Sequence, residues 1–366
     1  MKNWDFIGYW KLVIGYSSPM VPSIDTIFKH AVDEGASDVH LMVGKPPIIR
    51  IDGVLKDTDF PFLSHKVIDD LISSMLNEHQ REIFLSEKEF DFSYELPNVS
   101  RFRINLHVER GNPALAARVV SARIPTMEDL LMPEVVYELV RLPQGLILVT
   151  GPTGCGKSTS LAAMINLINM ERRAHIITLE DPIEFLHTSD KSIIKQRQYG
   201  TDFLSFAEAL KHVLRQDPNV IMVGEMRDLE TVAATITLAE TGHLVLATLH
   251  TLNAAQTVDR IIDIFPPYQQ TQVRLQLSLS LRGVISQQLL PKKGSGRVAS
   301  REILINNPAV SNLIRENKIA QIKSVIQTSA EDGMITMDQD LKRLYKERAI
   351  DHEVAVAHML DPHLLD

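Results

Sequence analysis

Cysteine and positive charge are both scarce in this 366-residue sequence, which has one cysteine, Cys155, and a net charge of −8. A single cysteine excludes a disulfide within the chain and a zinc site built from cysteines. It is also typical of proteins in a reducing cytosol, where disulfides are rare. The acidic balance gives no support to a protein that coats nucleic acid, so that only a local basic groove could serve such binding.

Long apolar runs are missing as well. The apolar N-terminal segment, residues 4–21, is interrupted by Asp5 and Lys11, is too short to span a bilayer and lacks the apolar core of a signal peptide. It is interpreted either as a weakly docked extension or as a segment that binds a membrane surface or a partner. We therefore set residues 1–22 apart as an N-terminal extension.

The rest of the sequence has the composition of an ordinary globular protein, with 45% apolar and 23% charged residues, and is long enough for two domains. Residues 23–124 show mixed helical and strand-like patterns, including a predicted hairpin that turns at Asp52 and Gly53. Residues 125–143 contain three prolines and are predicted to be a linker. Residues 144–306 alternate short apolar runs with helical patterns, which predicts an α/β core with a buried parallel sheet. Residues 307–366 are predicted to be helical.

One glycine-rich segment matches the pattern G-x-x-x-x-G-K-[S/T] of a P-loop, between a predicted strand and a predicted helix. Its glycines allow the backbone to close around phosphate oxygens, and the N–H groups at the helix start favour negative charge. Lys157 can reach the β- and γ-phosphates, and the Ser158 hydroxyl can bind Mg²⁺. The predicted nucleotide-binding residues are Gly151, Pro152, Thr153, Gly154, Cys155, Gly156, Lys157, Ser158 and Thr159.

Acidic residues follow two of the predicted strands. Glu180 and Glu184 come after the apolar run that ends at Leu179, and Glu225 comes after the run that ends at Val223. Ligands of an open parallel sheet bind beyond the carboxyl ends of the strands, so these acids are predicted to approach the γ-phosphate and its metal. A single acid in such a loop would be interpreted as a solvated residue, but two clusters beside a P-loop favour a catalytic site. Gly224 occupies the position where many P-loop proteins have a metal-binding aspartate.

Two histidines flank another predicted strand, residues 244–249. His250 follows its carboxyl end, the same edge as the acids, where it could sense the γ-phosphate or hydrogen-bond a catalytic carboxylate. His243 stands at the opposite end, and both a structural and a functional role remain open for it.

The first domain has a pair of arginines on one predicted strand. Arg101 and Arg103 flank Phe102, so that strand alternation places both on the same face. Two guanidinium groups on one face can bind phosphate, including that of a neighbouring subunit. An ordinary solvated strand face is the alternative interpretation.

Taken together and in this order, the motifs resemble those of the secretion-type ATPases, and within them the retraction ATPases of type IV pili. The resemblance extends from about Ser23 to the C-terminus. The matching segments are Ala36–Leu41, Arg101–Asn105, Gly151–Ser158, Ile177–Glu184, Val223–Asp228, Thr241–Thr251 and Met337–Gln339.

This resemblance implies a homohexameric motor with a PAS-like N-terminal domain, a flexible linker, a RecA-like ATPase core and a helical C-terminal region. ATP would lie between the two domains, with Mg²⁺ bound through Ser158 and Glu225. Glu184, with Glu180 beside it, would be the general base, and His243 and His250 would form the histidine pair of the family. Arg101, Arg103 and Arg118 are the candidates for contacting nucleotide from the N-terminal domain.

The resemblance also implies a function. Related pilus-extension and type II secretion ATPases typically have a long additional N-terminal domain, for which this sequence has no room, and a zinc module of four cysteines, whereas this sequence has one cysteine. The segment Ala309–Glu316 resembles the signature of the retraction branch, although Ser311 replaces its arginine. The expected protein is cytoplasmic, binds ATP and ADP, and is peripheral to the inner membrane, where it acts on the pilus platform protein. No nucleic-acid partner is expected.

Three alternatives remain open. The first is a ring motor that moves DNA or a secreted protein, since it would share the same core motifs. The second is a nucleotide-responsive regulator with negligible turnover. The third is an accessory retraction ATPase.

Overall fold

The fold divides into two units, residues 1–120 and 121–366. The structure is a computed structural model, and it describes residues 22–51, 53–97, 99–120, 123–294 and 296–365. The predicted N-terminal extension therefore lies outside the described residues, except for Pro22. Each unit is described below by itself.

The first unit is a six-stranded antiparallel sheet with the strand order β3-β2-β1-β6-β5-β4, together with helices. Its core contains the buried residues of α1, such as Phe28, whose ring stacks on that of Phe102 with centroids 4.2 Å apart. Its elements are α1 (Ile24–Asp33), β1 (Asp38–Leu41), β2 (Ile48–Ile51), β3 (Val54–Asp57), α2 (His65–Met75), α3 (Glu78–Glu87), β4 (Glu89–Leu96), β5 (Ser100–Glu109) and β6 (Asn112–Val120).

Strands β2 and β3 form the predicted hairpin, with Ile51 opposite Val54. Gly53 has φ +82°, a left-handed conformation that glycine adopts without strain. Asp52, the other predicted turn residue, lies outside the described residues. The PAS-like character of this unit stays a prediction.

The second unit is built on a seven-stranded sheet with the order β13-β12-β7-β11-β10-β8-β9. Its strands pair in parallel except for β12 with β13, which form an antiparallel hairpin at one edge. The strands are β7 (Gly145–Thr150), β8 (His175–Glu180), β9 (Ile193–Gln198), β10 (Val220–Val223), β11 (Leu244–Leu249), β12 (Leu281–Pro291) and β13 (Arg297–Ile305).

Helices accompany this sheet and continue to the end of the second unit. They are α4 (Glu134–Val140), α5 (Lys157–Glu171), α6 (Phe206–Val213), α7 (Leu229–Glu240), α8 (Ala254–Asp263), α9 (Pro267–Ser280), α10 (Pro308–Arg315), α11 (Ile322–Thr328), α12 (Met337–Lys346) and α13 (His352–His358). Helices α10 to α13 lie in residues 307–366, which the sequence analysis expects to be helical, and α4 lies in the predicted linker.

The central strands explain the continuous apolar runs of the sequence. Every residue of β7, β10 and β11 is buried. Along β7, Leu146 and Leu148 belong to one hydrophobic cluster, while Ile147 and Val149 belong to another. Because successive side chains of a strand point to opposite faces, apolar clusters cover both faces of the sheet, as the sequence predicted. The mixed α/β fold is confirmed.

Candidate active site

The P-loop connects the end of β7 to the start of α5, as predicted. Gly151 has φ +140°, and a Cβ there would lie 2.3 Å from the backbone oxygen of Gln287. Gly156, which caps α5, has φ +89°, and the helix begins at Lys157. These glycines are needed because a side chain would collide with β12 at the first position and strain the backbone at both.

Lys157 contacts both the loop and a neighbouring strand end. Its Nζ donates to the backbone oxygens of Gly151 and Pro152, at 2.8 and 3.1 Å, and lies 3.3 Å from Nδ1 of His250. Burial lowers the pKa of Lys157, and the nearby Glu225 and Glu184 carboxylates oppose that shift. The predicted phosphate-binding lysine therefore lies within the electrostatic reach of two of the three predicted catalytic acids.

His250 links Lys157 to Glu225. Its Nε2 lies 3.1 Å from Oε1 of Glu225. An ammonium group can only donate hydrogen bonds, so Nδ1 of His250 must accept from Lys157 when that lysine is charged. The ring proton is then on Nε2, where it is donated to the Glu225 carboxylate. One continuous chain of contacts thus joins the lysine, the histidine and the acid at the carboxyl edge of the sheet.

Arg227 extends this chain, although the sequence analysis gave it no role. Its guanidinium group lies 2.8 Å from Oε2 of Glu225 and 3.5 Å from Oδ2 of Asp181. Burial alone would raise the pKa of Glu225, but the hydrogen bond and charge of Arg227, helped by His250, outweigh it and hold that pKa below its usual value. The signal was present in the sequence, since Arg227 lies in the matching segment Val223–Asp228.

Glu180 and Glu184 have different surroundings. Glu180 is buried and accepts from the Thr178 hydroxyl at 2.6 Å and from the Gln196 amide at 3.0 Å. It also accepts from the backbone N–H of Glu184, and burial raises its pKa. Glu184 is exposed. The side chain of Glu184 is therefore free to meet a water molecule, while Glu180 holds the loop that presents it.

The glycine at position 224 has a packing explanation. A Cβ there would lie 3.1 Å from the backbone oxygen of Leu179 and 3.3 Å from Cα of Glu180. The ends of β8 and β10 approach so closely that a side chain would push them apart. The carboxylate of this strand end is consequently supplied one residue later, by Glu225.

Comparisons with known proteins identify the family of this chain. The family model described as "Type II/IV secretion system protein" matches residues 16–353. The chain belongs to this family. It is 48% identical over 332 residues to the type IV pilus retractation ATPase PilT of Pseudomonas aeruginosa, an alignment that covers 91% of this chain and 96% of that protein.

Two further relatives of this type II/IV secretion system protein are informative. The chain is 52% identical over 310 residues to a twitching motility protein of Neisseria gonorrhoeae, covering 84% of this chain and 83% of that one. A crystal structure of the pilus retraction motor PilT with bound ADP matches with a TM-score of 0.87 and 49% identity, covering 94% of this chain and 99% of that chain. The family resemblance inferred from the motifs is confirmed.

His243 lies away from the cluster in this secretion system protein. Its backbone oxygen accepts from Gly145 at the first residue of β7, and its Nδ1 lies 3.0 Å from the backbone oxygen of Leu238 in α7. Strand β11 separates it from His250 by six residues, or about 20 Å. The structure therefore does not bring His243 into the site of its own chain, and a catalytic role for it stays a prediction.

The three arginines that were predicted to contact nucleotide, Arg101, Arg103 and Arg118, lie on neighbouring strands of the first unit. Arg101 and Arg103 share a face of β5, since Phe102 between them is fully buried. Arg103 is opposite Arg118 of β6, and Nε of Arg118 lies 3.0 Å from Oδ1 of Asp38. The fold thus brings the three together on one sheet. They belong to a different unit from the P-loop, and their contact with nucleotide stays a prediction.

The donor atoms at the P-loop fit a magnesium ion. Ser158 and Glu225 offer only oxygen ligands, which Mg²⁺ prefers, and this ion is usually held by one or two protein groups together with phosphates and water. Within the described ranges, no group of three or more His, Cys, Asp or Glu residues could hold a metal ion by itself.

No helix among the residues that the structure describes is both long and apolar enough to cross a membrane.

Proposed function

We propose that this chain binds ATP at its P-loop, hydrolyses it with Mg²⁺, and as a homohexamer drives retraction of type IV pili by acting on an inner-membrane platform protein. The observation that carries the proposal is the contact chain from Lys157 through His250 to Glu225 at the carboxyl edge of the sheet. A lysine, a histidine and an acid are placed there without any apolar packing role, next to a loop shaped for phosphate.

Lys157 would act by exchanging partners. Its ammonium group now rests on two backbone oxygens and His250, all of which are weaker partners than a charged phosphate. On binding of a triphosphate it would move to the β- and γ-phosphates. His250, released from the lysine, would then be available to sense the γ-phosphate while still donating to Glu225.

Glu184 would orient and deprotonate the attacking water, since its side chain is exposed and close enough to influence Lys157. Ser158 and Glu225 would hold the Mg²⁺, which neutralises charge that develops on the phosphates. Arg227 keeps Glu225 ionised for that task. The hydrogen bond from the Glu184 backbone to Glu180 would fix the loop during the reaction.

The retraction role is supported by the relatives. Two proteins that align with more than four-fifths of this chain are named for pilus retraction or twitching motility. The solved retraction motor contains ADP, which supports adenine nucleotide as the ligand here. An association with the inner membrane at the pilus base is part of the same proposal.

A deletion strain tests the biological function. Loss of the gene should leave cells with excess surface pili and no twitching motility, and a wild-type copy should restore motility. Bald cells would point instead to pilus assembly. Normal piliation and motility would contradict a principal role in retraction and would favour an accessory ATPase or a motor for another substrate.

A further inference from the structure

Gln287 of β12 is a buried polar residue that touches the P-loop from behind. Its side chain is 1% exposed. Its amide Nε2 donates to the backbone oxygen of Cys155 at 2.9 Å, and its Oε1 accepts from the Ser160 hydroxyl at 2.9 Å. One side chain therefore connects the middle of the loop, the first turn of α5 and an adjacent strand.

The chemistry of its partners fixes the orientation of this amide. A backbone oxygen such as that of Cys155 can only accept, so the NH₂ group of Gln287 must face it. The Oε1 atom then faces Ser160, whose hydroxyl can donate. No other uncharged side chain of this length offers a donor and an acceptor at these two positions.

The hydrogen bond to Cys155 matters because the backbone N–H groups of a P-loop must face the phosphates and its carbonyl oxygens must not. Phosphate binding needs N–H groups directed at the anion, and a carbonyl oxygen that turned toward the phosphates would repel them. Gln287 holds the Cys155 oxygen toward the interior. Cys155 itself is 2% exposed, so without Gln287 this oxygen would be buried and unpaired.

The backbone of β12 adds a second attachment at the start of the loop. A Cβ on Gly151 would lie only 2.3 Å from the backbone oxygen of Gln287, so the backbones of Gly151 and Gln287 are in direct contact. One residue earlier, the hydroxyls of Ser286 and Thr150 lie 2.8 Å apart, and both residues are fully buried. Strand β12 thus supports the loop from its first residue to Ser160.

We propose that Gln287 is a positioning residue for the nucleotide site, which holds the P-loop in its phosphate-binding conformation before nucleotide arrives. This positioning role rests on the proposed binding of ATP and ADP. Gln287 touches no phosphate itself. Its contribution is to affinity, because a loop that is already ordered loses less conformational freedom on binding.

The test compares Gln287→Met with wild type. Methionine keeps the length and most of the volume of glutamine but makes neither hydrogen bond. The Kd of ADP, measured by calorimetry, should rise about tenfold, which corresponds to about 1.4 kcal/mol. The KM for ATP should rise in parallel, whereas kcat should change by less than about threefold, since the groups that react are untouched.

Gln288→Met is the matched control, because it makes the same substitution at the next residue of β12, which is only partly buried. It should leave the Kd of ADP unchanged. Ser160→Ala removes one partner of Gln287 but leaves the bond to Cys155, and should weaken binding less than Gln287→Met.

Equal ADP affinity in wild type and folded Gln287→Met would overturn the proposal while leaving nucleotide binding intact. If wild type itself bound no ADP, the proposed function would fail first. If Gln287→Met does not fold, the Kd of ADP is measured for Gln287→Asn instead. Asparagine keeps the amide, but its side chain is one methylene too short to reach both partners. If that variant also failed to fold, Gln287 would be a residue of the core, and the positioning role would be wrong.

Discussion

The two ends of strand β11 carry the same residue type in opposite circumstances. His250, at the carboxyl end, lies between the Lys157 ammonium and the Glu225 carboxylate. His243, at the amino end, is directed at the backbone oxygen of Leu238 near the end of α7. The comparison shows that the role of a histidine in a parallel sheet depends on the end of the strand at which it lies. The P-loop, the start of α5 and the acids meet at the carboxyl ends of the strands, where ligands bind.

The largest effect is expected when Lys157, the first member of the contact chain at the carboxyl edge, is replaced. Lys157→Ala should lower ATP turnover by about 1,000-fold or more, since it removes a positive charge from the phosphates where negative charge develops. Steady-state phosphate release measures it. Turnover equal to that of wild type would contradict the assignment of the P-loop.

Replacement of Glu184 or Glu225 should lower the rate of ATP hydrolysis far more than the affinity for nucleotide. Glu184→Gln and Glu225→Gln should each lower kcat by about 100-fold, because the amide can neither take a proton nor bind Mg²⁺ as a carboxylate does. The Kd of ADP should remain within about threefold of wild type. Near-normal turnover of either variant would remove that residue from the catalytic group.

Alanine variants of the two histidines test most directly whether the two ends of β11 differ in function. His250→Ala should lower kcat by about 10- to 100-fold, the loss expected for one hydrogen bond between a neutral and a charged group. His243→Ala should change kcat by less than about threefold, as for a residue outside the site. The two variants are measured under identical conditions. A large loss in His243→Ala would restore the catalytic role that the family resemblance implies and would point to an action beyond its own chain.

A smaller effect concerns pH and the loop after β8. Burial lowers the pKa of His187, three residues after Glu184, to about 4 from an ordinary value of 6.5. The unfolded chain therefore binds a proton between pH 6.5 and pH 4 that the folded chain does not, so the free energy of unfolding falls as the pH drops through this range. Between pH 7 and pH 5 this histidine should account for a loss of at most about 2 kcal/mol.

His187→Gln is the variant that isolates this effect, since glutamine does not titrate. Denaturant unfolding at pH 7 and pH 5 should show a smaller loss of stability in the variant than in wild type. An identical loss in both proteins would show that His187 is not buried as described.

Local patterns were sufficient to predict the central strands and the P-loop. Strands β7, β10 and β11 are buried on both faces, which gives the continuous apolar runs from which they were predicted. Strand β9 was missed because it lies at the edge of the sheet and its sequence after Ile194 is polar. Helix α9 was also missed, because the only apolar residues that it buries are Val273 and Leu277. Helix α8 was missed although its buried residues Val258, Ile261 and Ile262 have helical spacing.

The site was only partly predictable for a different reason. Lys157, Glu225 and His250 lie far apart in sequence, but each follows a strand, so their meeting could be inferred from the rule for parallel sheets. Gln287 is one of two consecutive glutamines of β12, and nothing in the sequence indicates that its amide faces Cys155. Arg227 lies in a segment that matches the family, but its pairing with Glu225 and Asp181 could not be predicted, because it depends on how two strand ends approach each other.

Direct titration of nucleotide into wild-type protein tests the central claim, which is that the carboxyl edge of the seven-stranded sheet binds an adenine nucleotide. Calorimetry with ADP and Mg²⁺ should show saturable binding to wild type and a much weaker signal with folded Lys157→Ala. Folded wild-type protein that takes up neither ADP nor ATP in the presence of Mg²⁺ would contradict the account.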